Sequence, residues 1–191
     1  MVAHYFFPKR YNFEDIGKIS RWKKGYVVWE FPFWRWFLAQ GGQITFWDDI
    51  DYRLWVQSGF GALESVMPKS EYEYFKKNTY QPDLLTNDMQ AVLEHDAAQY
   101  HFAKPTWDDL LKGHETGGLC SVVLNYAPFD REDGVKLHAV VILDINDVEV
   151  IIHNPLGKER VQARQKIGLK EFKHAWLEAT ETPSLCVYKM R

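Results

Sequence analysis

Two β-rich runs separated by a short polar turn place the strongest constraint on how this chain folds. Residues 136–144 and 148–154 are rich in Val and Ile, and they flank Ile145-Asn146-Asp147. Asn and Asp tolerate the left-handed backbone conformation that a three-residue hairpin loop needs. The sequence therefore predicts an antiparallel hairpin that turns at these three residues.

A turn at this point fixes the predicted pairing along the hairpin. Directly opposed residues share a face of the sheet, with Cβ atoms about 4.5–5.5 Å apart. The predicted pairs are Asp144 with Val148, Ile142 with Val150, Val140 with Ile152, and His138 with Asn154. An imidazole and a carboxamide are therefore expected to meet at the open end of the hairpin, at the rim of an apolar face.

Such a pair has the chemistry that a cysteine or serine nucleophile requires. His138 can take the proton of the nucleophile, and the side-chain oxygen of Asn154 can accept a hydrogen bond from one ring nitrogen, which leaves the other as base. Pro155 has no amide donor and ends the ladder. The alternative interpretation is a histidine that ends one strand and an asparagine that begins a turn, without a chemical role.

A one-residue change in the turn would shift the register and place His138 opposite His153 instead. Two histidines could then begin a metal site, but further ligands would be needed. The candidates have no recognised ligand spacing: His95, Asp96, His101 and His114. We therefore expect no metal and no cofactor.

The order of the predicted elements indicates the fold class. Most helices come before most strands in the 191 residues, which predicts a single α+β domain over 1–191 with a mostly antiparallel sheet. The predicted helices cover 12–20, 29–40, 51–66, 70–77, 84–100, a short segment from 105, and 168–179, and the predicted strands cover 43–47, 119–125, 136–144, 148–154 and 185–190. Thr106 and Asp109 resemble a capping box at the start of the helix after Pro105.

Composition and charge exclude several classes of partner. The net charge is -3 and no Lys/Arg run stands out, so we expect no nucleic-acid partner. Without a signal-peptide pattern or a membrane-length apolar run, we expect no membrane partner and a cytoplasmic location. Cys120 and Cys186 lie in apolar runs and are expected to be buried thiols, although one bridge between neighbouring strands stays possible. The aromatic segment 26–38 is expected to be a core helix.

Several short motifs follow one another in an order typical of one family. The most specific runs from His138 through strand, turn and strand to Asn154-Pro155. The weaker ones are Tyr5-Phe-Phe-Pro8, Trp29-Glu-Phe-Pro32, Asp49-Ile-Asp-Tyr52, Pro105-Thr106, Val122-Val-Leu-Asn125, and Phe172 with Ala175-Trp176. Together, from about His4 to Met190, they resemble the papain-like cysteine peptidases related to the bacteriocin-processing (double-glycine leader) peptidases, in the variant found as stand-alone bacterial domains.

The resemblance implies a papain-like fold, with N-terminal helices packed on a mostly antiparallel C-terminal sheet, and His138 and Asn154 as catalytic residues. It also implies a nucleophilic Cys at the start of a helix just before the segment 5–8, with a Gln slightly earlier for the oxyanion hole. Neither is found in a sequence that begins at Met1, and the family more often has Asp where this chain has Asn154. Three explanations are open: a true start upstream of Met1, a degenerate non-catalytic relative, or a nucleophile elsewhere or on a partner chain.

Two residues of this chain are weaker candidates for the nucleophile. Cys120 lies within an apolar strand, whereas the family nucleophile lies at a helix N-terminus, where the dipole favours thiolate. Ser58, in Gln57-Ser58-Gly59, lacks the complete strand, Gly-x-Ser-x-Gly and helix context of a hydrolase nucleophile. A turn that ends a helix is the simpler interpretation of Ser58.

Three functions follow as hypotheses. The first is hydrolysis of a peptide or related amide bond, with His138 as base and Asn154 as its orienting group, if an upstream Cys exists. The second is a pseudopeptidase that binds a peptide or small amide in the cleft. The third is a structural subunit that forms a homo-oligomer through the aromatic segment 26–36.

Overall fold

A computed structural model describes residues 1–130, 134, 136–155 and 162–190 of the chain. By its internal contacts the chain forms two compact units. The first, which we call the sheet unit, comprises residues 1–2, 45–49 and 101–189. The second, the helical unit, comprises residues 3–44, 50–100 and 190–191.

Most of the helices belong to the helical unit. They are α1 Val2–Phe6, α2 Phe13–Ile19, α3 Phe31–Ala39, α4 Tyr52–Ser58 with a 3-10 turn at Phe60–Ser65, α5 Lys69–Asn78 and α6 Pro82–Leu93. Pro32 lies in the first turn of α3, where its fixed φ suits a helix start and its missing N–H costs nothing. α3 packs against α6, and Phe37 and Met89 are fully buried.

The aromatic segment predicted as a core helix is largely buried. Trp29, Phe31, Phe33 and Trp34 are buried, and the Trp29 indole donates to Thr79 Oγ1 at 3.0 Å. Large rings bury much apolar area each, which is why so short a helix is held in place. The proposed oligomer contact through this segment stays a prediction.

The sheet has seven strands, and four of its pairs of neighbouring strands are antiparallel. The strands are β1 Gly42–Asp48, β2 Ala98–Phe102, β3 Leu119–Asn125, β4 Leu137–Ile145, β5 Glu149–Asn154, β6 Gln162–Gly168 and β7 Ser184–Met190, in the spatial order β2-β1-β7-β3-β4-β5-β6. The α+β class with a mostly antiparallel sheet is confirmed. β1 and β2 precede several helices in the chain, so helix and strand are more interleaved than the sequence order predicts.

The helices of the sheet unit are α7 Trp107–Glu115, α8 Ala127–Asp130 and α9 Leu169–Lys173, which continues into a π-helical turn at His174–Glu178. The predicted capping box of α7 is present, because Thr106 and Asp109 bond reciprocally. Leu110, Phe172 and Trp176 are fully buried and belong to the same hydrophobic core as Val122, Val140, Ile142, Val150 and Ile152. Side chains alternate between the faces of a strand, so this core defines one face of the sheet.

Several predicted boundaries are corrected. The helix predicted over 84–100 ends at Leu93, and Ala98–Phe102 is strand β2. The helix predicted over 51–66 breaks at Gly59, whose φ of 83° suits glycine and few other residues. Strand β6 was not predicted, because its polar sequence buries little besides Ile167.

The predicted pairing of the hairpin is also wrong in register. β4 and β5 pair Ile142 with Ile152 and Val141 with His153, whereas the three-residue turn required Ile142 to face Val150. The turn is tighter than predicted, since the Asn146 amide donates to the Glu149 carbonyl at 3.1 Å and leaves a two-residue loop. A bulge between Ile142 and Asp144 then moves the pairing back by one residue, so the partner of Ile142 is Ile152, two residues from the predicted Val150.

Candidate functional site

The imidazole of His138 and the carboxamide of Asn154 meet despite the changed register. His138 Nε2 lies 2.8 Å from Asn154 Oδ1. The observed register, extended by one residue, puts Asn154 opposite Val140, which makes His138 its diagonal neighbour. The total shift from the predicted register is two residues, and a strand repeats every two residues. Both side chains therefore stay on the face that carries the core.

The hydrogen bond between them defines which ring nitrogen is free. An amide oxygen only accepts, so His138 Nε2 carries the proton and donates it to Asn154 Oδ1. In the neutral ring, Nδ1 then has the lone pair. This is the arrangement in which an orienting group holds one nitrogen and the other acts as base.

The electrostatic surroundings keep that ring neutral. Burial lowers the pKa of His138 below its ordinary value of 6.5, and the hydrogen bond that His138 donates to Asn154 opposes this effect in part. Burial acts because a charged imidazolium loses solvation there. At neutral pH the ring is therefore uncharged and able to accept a proton at Nδ1.

Two residues that the sequence did not single out complete the site. The side-chain nitrogen of Asn154 donates to Tyr126 Oη at 2.8 Å and to Gln165 Oε1 at 2.7 Å. Gln165 Nε2 also donates to Tyr126 Oη at 2.9 Å, so the three side chains form a closed ring of hydrogen bonds. Asn154 is only 1% exposed, which makes these bonds costly to lose.

Tyr126 also contacts the imidazole through its ring. The ring centroids of Tyr126 and His138 lie 5.6 Å apart at an interplanar angle of 82°, an edge-to-face contact. Tyr126 follows directly after β3, and its backbone N–H donates to the Lys136 carbonyl at 2.8 Å. The tyrosine therefore restricts the imidazole through ring contact and the carboxamide through its hydroxyl.

Asn125 holds the backbone that places Tyr126. Its side-chain oxygen accepts from the amides of Ala127 at 3.1 Å and Lys136 at 2.9 Å. Its side-chain nitrogen donates to the carbonyls of Gly134 at 3.0 Å and Ala179 at 3.1 Å. One buried asparagine thus joins the end of β3 to the start of β4, where His138 lies.

The two thiols of the chain are not placed to react with His138. His138 pairs with Leu124 on β3, and Cys120 lies four residues further along that strand, about 13 Å away at the usual rise. Burial raises the pKa of Cys120 to about 12, against a smaller opposite effect of Lys189, so this thiol stays protonated. Cys186 pairs with Ser121, so it lies on the opposite face of the sheet from Val122 and His138. Both cysteines are buried thiols that form no disulfide.

The remaining candidates lie apart from this arrangement. Ser58 is the last residue of α4, before the glycine that ends the helix, so it lacks a strand–turn–helix setting. His153 pairs with Val141 rather than with His138, so the two-histidine alternative is wrong in register. Among the residues that the structure describes, no group of three or more His, Cys, Asp and Glu side chains could hold a metal ion.

No protein-family model, curated protein or solved structure matches the chain. Within the described ranges, no helix has the length and apolar character needed to cross a bilayer. The family resemblance therefore depends on the residues and contacts described above.

Proposed function

We propose that this chain is a papain-like, cysteine-peptidase-like protein in which His138 is the base and Asn154 orients it. The observation that carries the proposal is the 2.8 Å contact between His138 Nε2 and Asn154 Oδ1, which leaves Nδ1 as the free nitrogen. The lowered pKa of His138 supports it, because a base must be unprotonated at working pH. The substrate class is a peptide or related amide.

The reaction would proceed by acyl transfer to a thiol. His138 Nδ1 takes the thiol proton while sulfur bonds to the amide carbon, and the carbonyl electrons move onto oxygen. The intermediate collapses to a thioester when the C–N bond breaks, and the Nδ1 proton goes to the leaving amine. Water then attacks the thioester and gives a proton to Nδ1. The C–S bond breaks, and the Nδ1 proton returns to sulfur, which releases the acid and regenerates the thiol and the neutral imidazole. Asn154 accepts from Nε2 throughout and stabilises the imidazolium.

The thiol in this proposal is neither Cys120 nor Cys186. One is about 13 Å of strand away and strongly protonated, and the other lies on the opposite face of the sheet. Hydrolysis therefore requires a cysteine upstream of Met1, which the family resemblance implies just before the segment 5–8, and without one the chain is a non-catalytic relative. An in-frame Gln and Cys-Gly segment before Met1 in the gene is the expected source.

A peptide bearing a thiol-reactive electrophile tests the proposal. The probe is applied to the printed chain and to a chain extended by the upstream in-frame residues, and the labelled residue is identified by mass spectrometry. We expect labelling of the added cysteine only, with loss of that labelling in the extended His138→Ala chain. Labelling of Cys120 in the printed chain would contradict our exclusion of that thiol, and labelling that survives His138→Ala would contradict the role of the base.

A second function, binding without hydrolysis, is favoured because Cys120 lies about 13 Å along the sheet from His138 and Cys186 lies on the opposite face. Without a nucleophile, Nδ1 is a hydrogen-bond acceptor for the N–H of a peptide or small amide. An NMR titration with a short peptide-amide mixture should then shift the His138 ring signals, and His138→Ala should abolish the binding. Unchanged ring signals at millimolar peptide would exclude this function for those ligands.

A further inference from the structure

We propose that Tyr126 and Gln165 are positioning residues that set the amide orientation of Asn154 and thereby the tautomer of His138. This inference builds on the proposed function, but its test reads the tautomer and needs no activity. The ring of Tyr126 packs edge-to-face on His138, but its hydroxyl and the amide of Gln165 contact Asn154. In setting the tautomer, both residues act through Asn154.

The need for such residues arises from the chemistry of a carboxamide. Unlike a carboxylate, an asparagine side chain can present either its oxygen or its NH₂ group to a histidine. With the oxygen toward Nε2, the proton lies on Nε2 and Nδ1 is the base. With the NH₂ group toward Nε2, that nitrogen must accept, and the proton of the neutral ring moves to Nδ1. An Asn therefore serves as an orienting group only if its own rotation is fixed.

The contacts of Asn154 provide that restraint. Both hydrogens of its NH₂ group have acceptors, Tyr126 Oη at 2.8 Å and Gln165 Oε1 at 2.7 Å. A rotated amide would bring its oxygen against Gln165 Oε1, so that two acceptors would face each other. Tyr126 Oη accepts from Gln165 Nε2 at 2.9 Å and donates to Gln165 Oε1 at 3.1 Å. Because this hydroxyl has one hydrogen, it could not donate to the oxygens of both amides if Asn154 and Gln165 rotated together.

The position of Gln165 explains how it reaches this group. It pairs with Ile152 across β5 and β6, which puts it on the face that bears the core and makes it the diagonal neighbour of Asn154. Tyr126 approaches from the other direction, after β3, and is 6% exposed. Water is largely excluded here, so an Asn154 amide with unsatisfied hydrogen-bonding groups would raise the free energy of the folded chain. This cost strongly favours the observed orientation of the amide.

The test is a comparison of ring ¹⁵N chemical shifts of His138 at a pH where the ring is neutral. The full chain should show the Nε2–H tautomer alone. The double variant Tyr126→Phe, Gln165→Leu removes both acceptors, and we expect a measurable Nδ1–H population. An unchanged tautomer in a folded double variant would overturn the proposal.

Rescue separates positioning from a general structural effect. Adding Asn154→Asp to the double variant supplies a carboxylate that only accepts, so the Nε2–H tautomer should return without Tyr126 Oη or Gln165. Failure of that rescue would also overturn the proposal. Gln165 is only partly buried, so if the double variant does not fold, Gln165→Leu alone is used and must show the same change in smaller measure. A failed probe-labelling experiment with an intact tautomer response would reject the proposed function but leave this inference standing.

Discussion

Replacing Asn154 by alanine should destabilise the sheet unit by an amount that its contacts predict. Asn154 is 1% exposed and bonds to three side chains: His138, Tyr126 and Gln165. Tyr126 and Gln165 keep their own bond at 2.9 Å when the amide is removed. The half-buried Nε2–H of His138 loses the acceptor seen in the structure.

The expected loss of folding free energy comes from the His138 donor, because Tyr126 and Gln165 keep a hydrogen bond to each other. One buried donor deprived of its partner costs about 1–3 kcal/mol, whereas counting every lost bond separately would give more. For a chain of this size each kcal/mol lowers the melting temperature by about 2–4 °C. We therefore expect the free energy of unfolding of Asn154→Ala to fall by about 1–3 kcal/mol.

Urea unfolding followed by circular dichroism measures this change, and Asn87→Ala is the matched control. Asn87 is exposed on α6, so its removal should change the free energy of unfolding by less than about 0.5 kcal/mol. A loss for Asn154→Ala no larger than that of the control would refute the reasoning. It would mean that the hydrogen bonds of Asn154 make no measurable contribution to the free energy of unfolding.

Other changes lead to further measurable outcomes. Because burial lowers the pKa of His138 below 6.5, the unfolded chain binds a proton that the folded chain resists, so the free energy of unfolding should fall as pH falls below 6.5. His138→Gln should reduce the slope of the free energy of unfolding against pH below 6.5, measured by urea unfolding. An unchanged slope would contradict the lowered pKa of His138. Asn154→Asp places a carboxylate against Nε2 and should raise the pKa of His138 in an NMR titration; a lower pKa would contradict the contact. Cys120, with its pKa raised to about 12, should react with an alkylating reagent far more slowly in the folded chain than in urea, and equal rates would disprove its burial. Thr106→Ala removes the capping box of α7 and should cost about 1 kcal/mol in thermal unfolding, whereas no loss would show that the cap is unimportant.

The sequence by itself determined the class of the fold and the face on which the candidate site lies. The net error in register was two residues, the side-chain period of a strand, so His138 and Asn154 were assigned to one face correctly although the pairing was wrong. The capping box at Thr106 and Asp109 was likewise predictable, because its hydrogen bonds are local. Strand β3 matched its predicted range, since a continuous apolar run preceded by Gly117-Gly118 is a local signal.

Only the tertiary structure decided the register and the partners of Asn154. The two-residue loop and the bulge near Ile142 are set by how β4 and β5 fit their neighbours, which no local pattern encodes. Gln165 comes from β6, an edge strand whose polar sequence gives little hydrophobic signal, and Tyr126 comes from the end of β3. These residues are distant in sequence and meet because strand pairing brings them together. The orientation of one carboxamide, and with it the free nitrogen of His138, therefore depends on contacts that exist only in the folded chain.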